Sequence, residues 1–264
     1  MSADVIDFRI LGDDLQAVVI TLDPGEAAVA DAGAMLYMQD GIEMGTQLSM
    51  KQGSGIFGKL FEAGKRMLTG ESFFITMFAN QGPRRADVAF SAPYPGKVVP
   101  LELSDFGGEL ICQKDSFLCA ARGIEVNIAF TKRIGAGLFG GEGFILQRLS
   151  SPTGRGMAFV HAGGTVIEEE LAPGQTLRVD TGCLVAFEKT VDYDIQMVPG
   201  VRNKLFGGEG LFFVRLQGPG RVWLQSLPFS RLADRILAAA PQNGGAGREE
   251  GSVLGGLGRM IDGN

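Results

Sequence analysis

The chain has 264 residues, enough to bury a large core or to divide into two domains. Its formal net charge of −6 argues against a nucleic-acid partner, which needs a basic footprint, and its apolar stretches fall far short of the roughly 20 residues of a membrane-spanning helix. Hydrophobic residues at 45% and charged residues at 20% are ordinary for a globular chain, but 40 glycines are about twice the usual share and indicate many short strands joined by tight turns.

Residues 1–9 carry Asp4 and Asp7 and lack the basic-then-apolar layout of an export signal, so a cytoplasmic location is expected. The first turn is Asp23-Pro24-Gly25, where proline presets φ and glycine accepts a positive φ. Short strands are predicted at 27–30 and 34–38, and a poorer alternating one runs through Ile42, Met44, Thr46 and Leu48. Residues 53–68 then form an insertion. In it Ile56, Phe57, Leu60, Phe61 and Leu68 fall near one helical face, against Lys59, Glu62, Lys65 and Arg66. A short basic amphipathic helix of this kind plugs a barrel end, binds a partner or touches a membrane surface, and Phe57 and Phe61 are its candidate interaction residues. The phrase Thr69-Gly70-Glu71-Ser72-Phe73 follows, then a strand at 73–78, a turn at Gly82-Pro83-Arg84 and a strand at 87–91.

The same order returns twice. After Phe106-Gly107-Gly108 come strands at 109–113 and 117–120, then a strand in which Ile124, Val126, Ile128 and Phe130 interleave with Glu125, Asn127 and Ala129. Gly140-Gly141-Glu142-Gly143-Phe144 leads into a strand at 144–149, and Gly154-Arg155 into one at 157–161. After Ala172-Pro173-Gly174 the predicted strands are 176–180, 183–188 and an alternating run through Val191, Tyr193, Ile195 and Met197. Gly207-Gly208-Glu209-Gly210-Leu211, a strand at 211–216, Gly218-Pro219-Gly220-Arg221 and a strand at 222–226 complete the third round. The stretches 93–101 and 162–167 connect the rounds. Glu71, Glu142 and Glu209 stand roughly seventy residues apart, a spacing that marks one supersecondary unit copied in tandem. The expected body is all-β, residues 1–228, with units at about 10–97, 98–166 and 167–228, built as antiparallel sandwiches or barrels. Residues 229–240 follow Pro228 as a helix with Leu232, Ile236 and Leu237 on one face, Pro241 stops it, and 241–264 is a Gly-rich, linker-like tail.

Three phrases, Tyr94-Pro95-Gly96-Lys97-Val98-Val99-Pro100, Leu205-Phe206-Gly207-Gly208-Glu209-Gly210-Leu211 and Ser226-Leu227-Pro228-Phe229-Ser230-Arg231-Leu232-Ala233, resemble a widespread bacterial family of uncharacterised proteins. That family is related to a yeast mitochondrial protein named for altered inheritance of mitochondria, member twenty-four. The resemblance covers about residues 5–240. It implies a fold similar to the tryptophan RNA-binding attenuation protein: short double-stranded β-helix units, here three around a pseudo-threefold axis, with a C-terminal helix. It carries over no catalytic residues.

The chemistry-bearing residues are sparse. A metal-dependent β-barrel enzyme needs two or three converging imidazoles, and the chain has one histidine, His161, read as a structural or surface residue. No metal, cofactor or catalytic group is expected. No Gly-x-Ser-x-Gly elbow occurs, and the Gly-rich phrases lack the Lys-Ser/Thr of a phosphate loop. Glu168-Glu169-Glu170 reads as a solvated face. Cys112 and Cys119 flank a turn at Lys114-Asp115, which brings them within reach of each other across strands, but with Cys183 they are read as reduced thiols. The copied glutamates Glu71, Glu142 and Glu209 serve either as a carboxylate ring about the threefold axis, for a cation or basic partner, or as turn acids locked to Lys132, Arg133, Arg202 or Lys204.

Two functions fit: a non-catalytic assembly or scaffold module with an unidentified protein partner, or a binder of a small ligand between units or at a subunit interface. The second rests on the likeness of fold alone. Exposed strand edges and the two apolar helical faces predict a homo-oligomer, most simply a twofold dimer.

Overall fold

The computed structural model describes residues 3–48, 74–132, 144–202 and 210–239. Residues 1–230 form one compact unit and 231–264 a second. The first six strands are β1 (Asp7–Leu11), β2 (Ala17–Leu22), β3 (Ala27–Asp31), β4 (Met35–Met38), β5 (Ile42–Leu48) and β6 (Phe74–Asn80). Then come β7 (Ala86–Ser91), β8 (Gly96–Glu102), β9 (Glu109–Gln113), β10 (Phe117–Ala121), β11 (Glu125–Lys132), β12 (Phe144–Ser150) and β13 (Met157–Gly163). The last six are β14 (Val166–Leu171), β15 (Thr176–Asp180), β16 (Leu184–Glu188), β17 (Asp192–Arg202), β18 (Gly210–Gln217) and β19 (Gly220–Gln225), followed by helix α1 (Phe229–Ala239).

The strands form four antiparallel sheets, ordered β1-β2-β7-β4, β5-β6-β3-β10-β13-β8, β11-β12-β9-β16-β19-β14 and β15-β18-β17. One set of pairings recurs along the chain. β2 pairs with β7, β7 with β4, β6 with β3 and β5 with β6. The same four partnerships return among β8 to β13 and among β14 to β19. β10 also takes β3 on its second edge, and β16 takes β9. A register shift interrupts the pairing at Met35/Tyr37, Phe117/Cys119 and Leu184/Ala186, each at the matching point of the ladder.

The four sheets enclose three apolar cores. Val18, Ile20, Val88 and Phe90 of the first sheet pack with Ala28, Phe78, Cys119 and Phe159 of the second. Val29, Ala120 and Val160 on the other face of the second sheet pack with Leu110, Cys112, Leu149 and Trp223 of the third. Ile111, Leu146, Phe187 and Val222 of the third then meet Val179, Val214 and Leu216 of the fourth. The two middle sheets are therefore buried on both faces. For that reason their inner strands read as continuous apolar runs, such as Ala-Ala-Val-Ala in β3 and Phe-Leu-Cys-Ala-Ala in β10, while β11 and β17 alternate.

The described residues correct several expectations. No barrel is closed among them; every sheet is open, with two edge strands. β1 and β2 were not foreseen, although Val18, Ile20 and Leu22 alternate in place and fill the first core, and the stretches 93–101 and 162–167, expected as connections, contain most of β8 and the start of β14. The strands expected at 34–38 and 183–188 start later, because Ala32–Ala34 and Thr181–Cys183 are single turns of 3₁₀ helix. Cys112 and Cys119 are buried free thiols facing different cores, which excludes the cross-strand pairing.

Candidate functional site

The sequence-derived candidates Glu71, Glu142 and Glu209, and the insertion residues Phe57 and Phe61, all lie outside the described residues, as does the tail from 240 onward. Glu168, Glu169 and Glu170 are exposed on edge strand β14, as expected of a solvated face. Among the described residues no group of three or more His, Cys, Asp or Glu converges as a metal site.

What the fold does bring together is a junction around Tyr94 and His161. Tyr94 sits in the Pro93–Pro95 turn that opens β8, and His161 lies on β13 opposite Val98 of β8. The rings meet edge to face, with centroids 4.6 Å apart at 86°. Phe229, the first residue of α1, closes the other side at 5.4 Å from Tyr94. Four stretches of chain meet here. The Gly96 N–H donates to Asp14 O, the Gln16 N–H to Gly96 O, the Gly164 N–H to Pro95 O and the Leu227 N–H to Gly163 O. Gln16 Oε1 accepts from the Val98 N–H at 2.8 Å. Gln225 Oε1 accepts from the Gly163 N–H at 2.7 Å, while its amide donates to Gly182 O at 2.8 Å.

Two glycines are required here by closeness. A Cβ on Gly96 would stand 2.5 Å from His161 Nε2, and one on Gly163 would stand 3.0 Å from Tyr94 Cε2. Both glycines face each other at the end of the antiparallel β8–β13 pair, where neighbouring side chains and backbone leave no room for a Cβ.

The electrostatics of the junction are those of a sealed interior. His161 is 2% exposed, and burial pulls its pKa down to about 4, so the imidazole is neutral at pH 7. Burial, assisted by the nearby Asp115 carboxylate, pushes the Tyr94 phenol up to about 12. Neither group titrates near neutrality, where a general acid or base is most effective. Burial likewise raises the thiols of Cys112 and Cys119, away from the reactive thiolate. Four buried polar atoms have no hydrogen-bond partner within the described protein: His161 Nδ1, Gln113 Oε1, Ser116 Oγ and Gln147 Oε1. Gln113 and Ser116 bracket the turn between β9 and β10, where the Gln113 amide donates to Asp115 at 3.1 Å.

His161 thus proves structural and buried rather than a surface residue. Tyr94, Gly96, Gly163, Gln225 and Phe229 were not singled out as a site from the sequence. Their signal was present in the phrases Tyr94-Pro95-Gly96 and Ser226-Leu227-Pro228-Phe229, which lie far apart in the chain and meet only in the fold.

A family model described as mitochondrial biogenesis AIM24 matches residues 8–227. The chain is 30% identical over 225 residues to an uncharacterised protein of Streptococcus pyogenes serotype M6, a match covering 85% of this chain and 86% of that one. The crystal structure of a Streptococcus pyogenes protein, a structural genomics target, matches with a TM-score of 0.68 over 89% of this chain and 100% of the other, at 23% identity, which is a likeness of fold.

Proposed function

The chain belongs to the mitochondrial biogenesis AIM24 family, and from that premise we propose that it works as a non-catalytic assembly module, a rigid β body that presents surfaces to an unidentified protein partner and to a second copy of itself. The observation that carries this reading is the junction at Tyr94 and His161. Tyr94, His161 and Phe229 meet there in a sealed interior, where they lock strands together and hold no group that titrates near neutrality. The body is read as three tandem double-stranded β-helix units about a pseudo-threefold axis, like those of the attenuation protein. The recurrence of the same four strand pairings in β2–β7, β8–β13 and β14–β19 supports that reading. Buried free thiols at Cys112 and Cys119 suit a reducing compartment such as the cytoplasm. No helix among the described residues is long and apolar enough to cross a membrane. Phe57 and Phe61, which lie outside the described residues, are the candidate residues for that partner or for contact with a membrane surface.

A second reading, a small-ligand binder, is favoured by one observation: His161 Nδ1, Gln113 Oε1, Ser116 Oγ and Gln147 Oε1 are buried without protein partners, and buried polar atoms call for a hydrogen-bonding companion. Affinity capture from the native cells separates the two, using wild type and a Phe57→Glu, Phe61→Glu variant, together with native mass spectrometry of the purified protein. The assembly module should bring down a protein in stoichiometric amount that the variant loses while its β signal is unchanged. A small molecule retained at one per chain, with no protein companion, would replace this reading by the binder.

A further inference from the structure

Eight edge strands bound the four sheets: β1, β4, β5, β8, β11, β14, β15 and β17. An open edge presents unpaired N–H and C=O groups to any other strand, and soluble β proteins guard such edges with charge or proline. β1 carries Asp7 and Arg9, and β5 carries Glu43. β8 carries Lys97 and Pro100, and β14 carries three glutamates. β11 begins at Glu125 and ends at Lys132, β15 holds Arg178 and Asp180, and β17 holds Asp192 and Asp194. β4 reads Met35-Leu36-Tyr37-Met38 and alone among the described edge strands has neither a charge nor a proline. Met35 packs into the first core, while Leu36, Tyr37 and Met38 are 56%, 44% and 40% exposed.

The geometry of that edge is one that accepts a strand. β10 and β16 stand in the same place as β4 within the recurring pairings, each with a register shift at the matching point. Both take a second antiparallel neighbour through the residues beyond the shift, Cys119 to Ala121 on β3 and Ala186 to Glu188 on β9. On β4 the corresponding positions begin at Tyr37 and Met38, and β4 pairs only with β7.

We propose that β4 is the self-association edge of this protein: it pairs antiparallel with β4 of a second copy across a twofold axis, placing Tyr37 opposite Tyr37 of the partner subunit. This rests on the homo-oligomer reading above and gives it a location. The occupant follows from matching chemistry. An uncharged apolar edge is best covered by another, and β4 is the only unguarded edge that a second copy offers among its described strands. β15, the other edge left over from the β3–β10 and β9–β16 scheme, carries Arg178 and Asp180 and is guarded. Four residues a side make a contact smaller than the ~1,200 Å² of a standard interface, so the dimer dissociates on dilution.

Antiparallel partners lie roughly 4.5–5.5 Å apart at Cα, within reach of a disulfide. Mild oxidation of Tyr37→Cys should therefore give a covalent dimer, while Glu169→Cys on guarded edge β14 and the wild type stay uncrosslinked. Tyr37→Lys should move the light-scattering mass from dimer to monomer with an unchanged far-UV spectrum. A wild type that is monomeric at high micromolar concentration overturns both the homo-oligomer and this interface. A wild-type dimer that persists in Tyr37→Lys, with no crosslink through Tyr37→Cys, overturns the β4 interface and leaves the homo-oligomer standing. A crosslink that instead joins Tyr37→Cys to Val179→Cys in a doubly substituted chain would assign the edge to β15 and also overturn the proposal.

Discussion

His161 has a pKa set by where the fold puts it. Its folded value is lowered to about 4 by burial, whereas an unfolded chain keeps it near the ordinary value of about 6.5. Between those values the unfolded state binds the extra proton, so stability falls as pH drops from about 6.5 towards 4, and the stability is fully present above that window. The effect is on the order of 3 kcal/mol at most. Urea unfolding at pH 7 and pH 4.5 should show the loss in wild type. In His161→Gln it should be much smaller, since glutamine does not titrate; an equal loss in both assigns the slope to other groups. Gly96 is the steric counterpart. A Cβ there meets His161 Nε2 at 2.5 Å, and Gly96→Ala is expected to cost about 1–3 kcal/mol as overpacking in a rigid junction. Gly45→Ala on β5, which meets nothing within 4 Å, should be tolerated. The midpoints of the two variants in urea decide it: a Gly96→Ala curve that overlays the Gly45→Ala curve would mean that the junction yields to the methyl group.

At the scale of elements, the three strands that start the recurring pairings are protected in different ways. β2 is covered by β1, β8 carries Lys97 and Pro100, and β14 presents Glu168, Glu169 and Glu170 to solvent. The glutamates contribute little attraction. Arg221 reaches Glu168 at only 3.9 Å and bonds Glu188 at 2.8 Å instead, with its guanidinium stacked over Phe106 at 4.7 Å. Their service is repulsive, keeping foreign strands off an edge of high β propensity. Replacing all three by valine should leave the far-UV spectrum native at low concentration and produce time-dependent light scattering on concentration. A triple variant as clear as wild type in that measurement would show that the β14 edge needs no guard.

At the scale of the whole molecule, the middle sheets each belong to two cores, so neither outer layer can leave without exposing an inner one. The β body should therefore unfold as one cooperative unit. Trp223, the lone tryptophan, is buried against Phe106 in the middle core and reports on it directly. Its fluorescence and the far-UV signal should give coincident urea transitions. Two separated transitions would mean that the layers come apart independently.

The amino-acid sequence by itself determined the alternating strands β11 and β17, the Pro-Gly turns, and the order of elements from β3 to α1 apart from β8 and β14, because pleat, turn chemistry and helix period are written in neighbouring residues. It also carried the family, whose model matches residues 8–227. It did not determine that the sheets stay open, that β1 and β2 complete the first sheet, or which strand is left unguarded. Those depend on hydrogen-bond partners far apart in the chain, such as Leu22 with Ala86 and Ala30 with Cys119. The site divides in the same way. A lone histidine was legible as a poor metal ligand, but its burial against Tyr94, 67 positions away in the chain, exists only once β8 and β13 are paired. Packing decides burial, and burial set both pKa values at the junction.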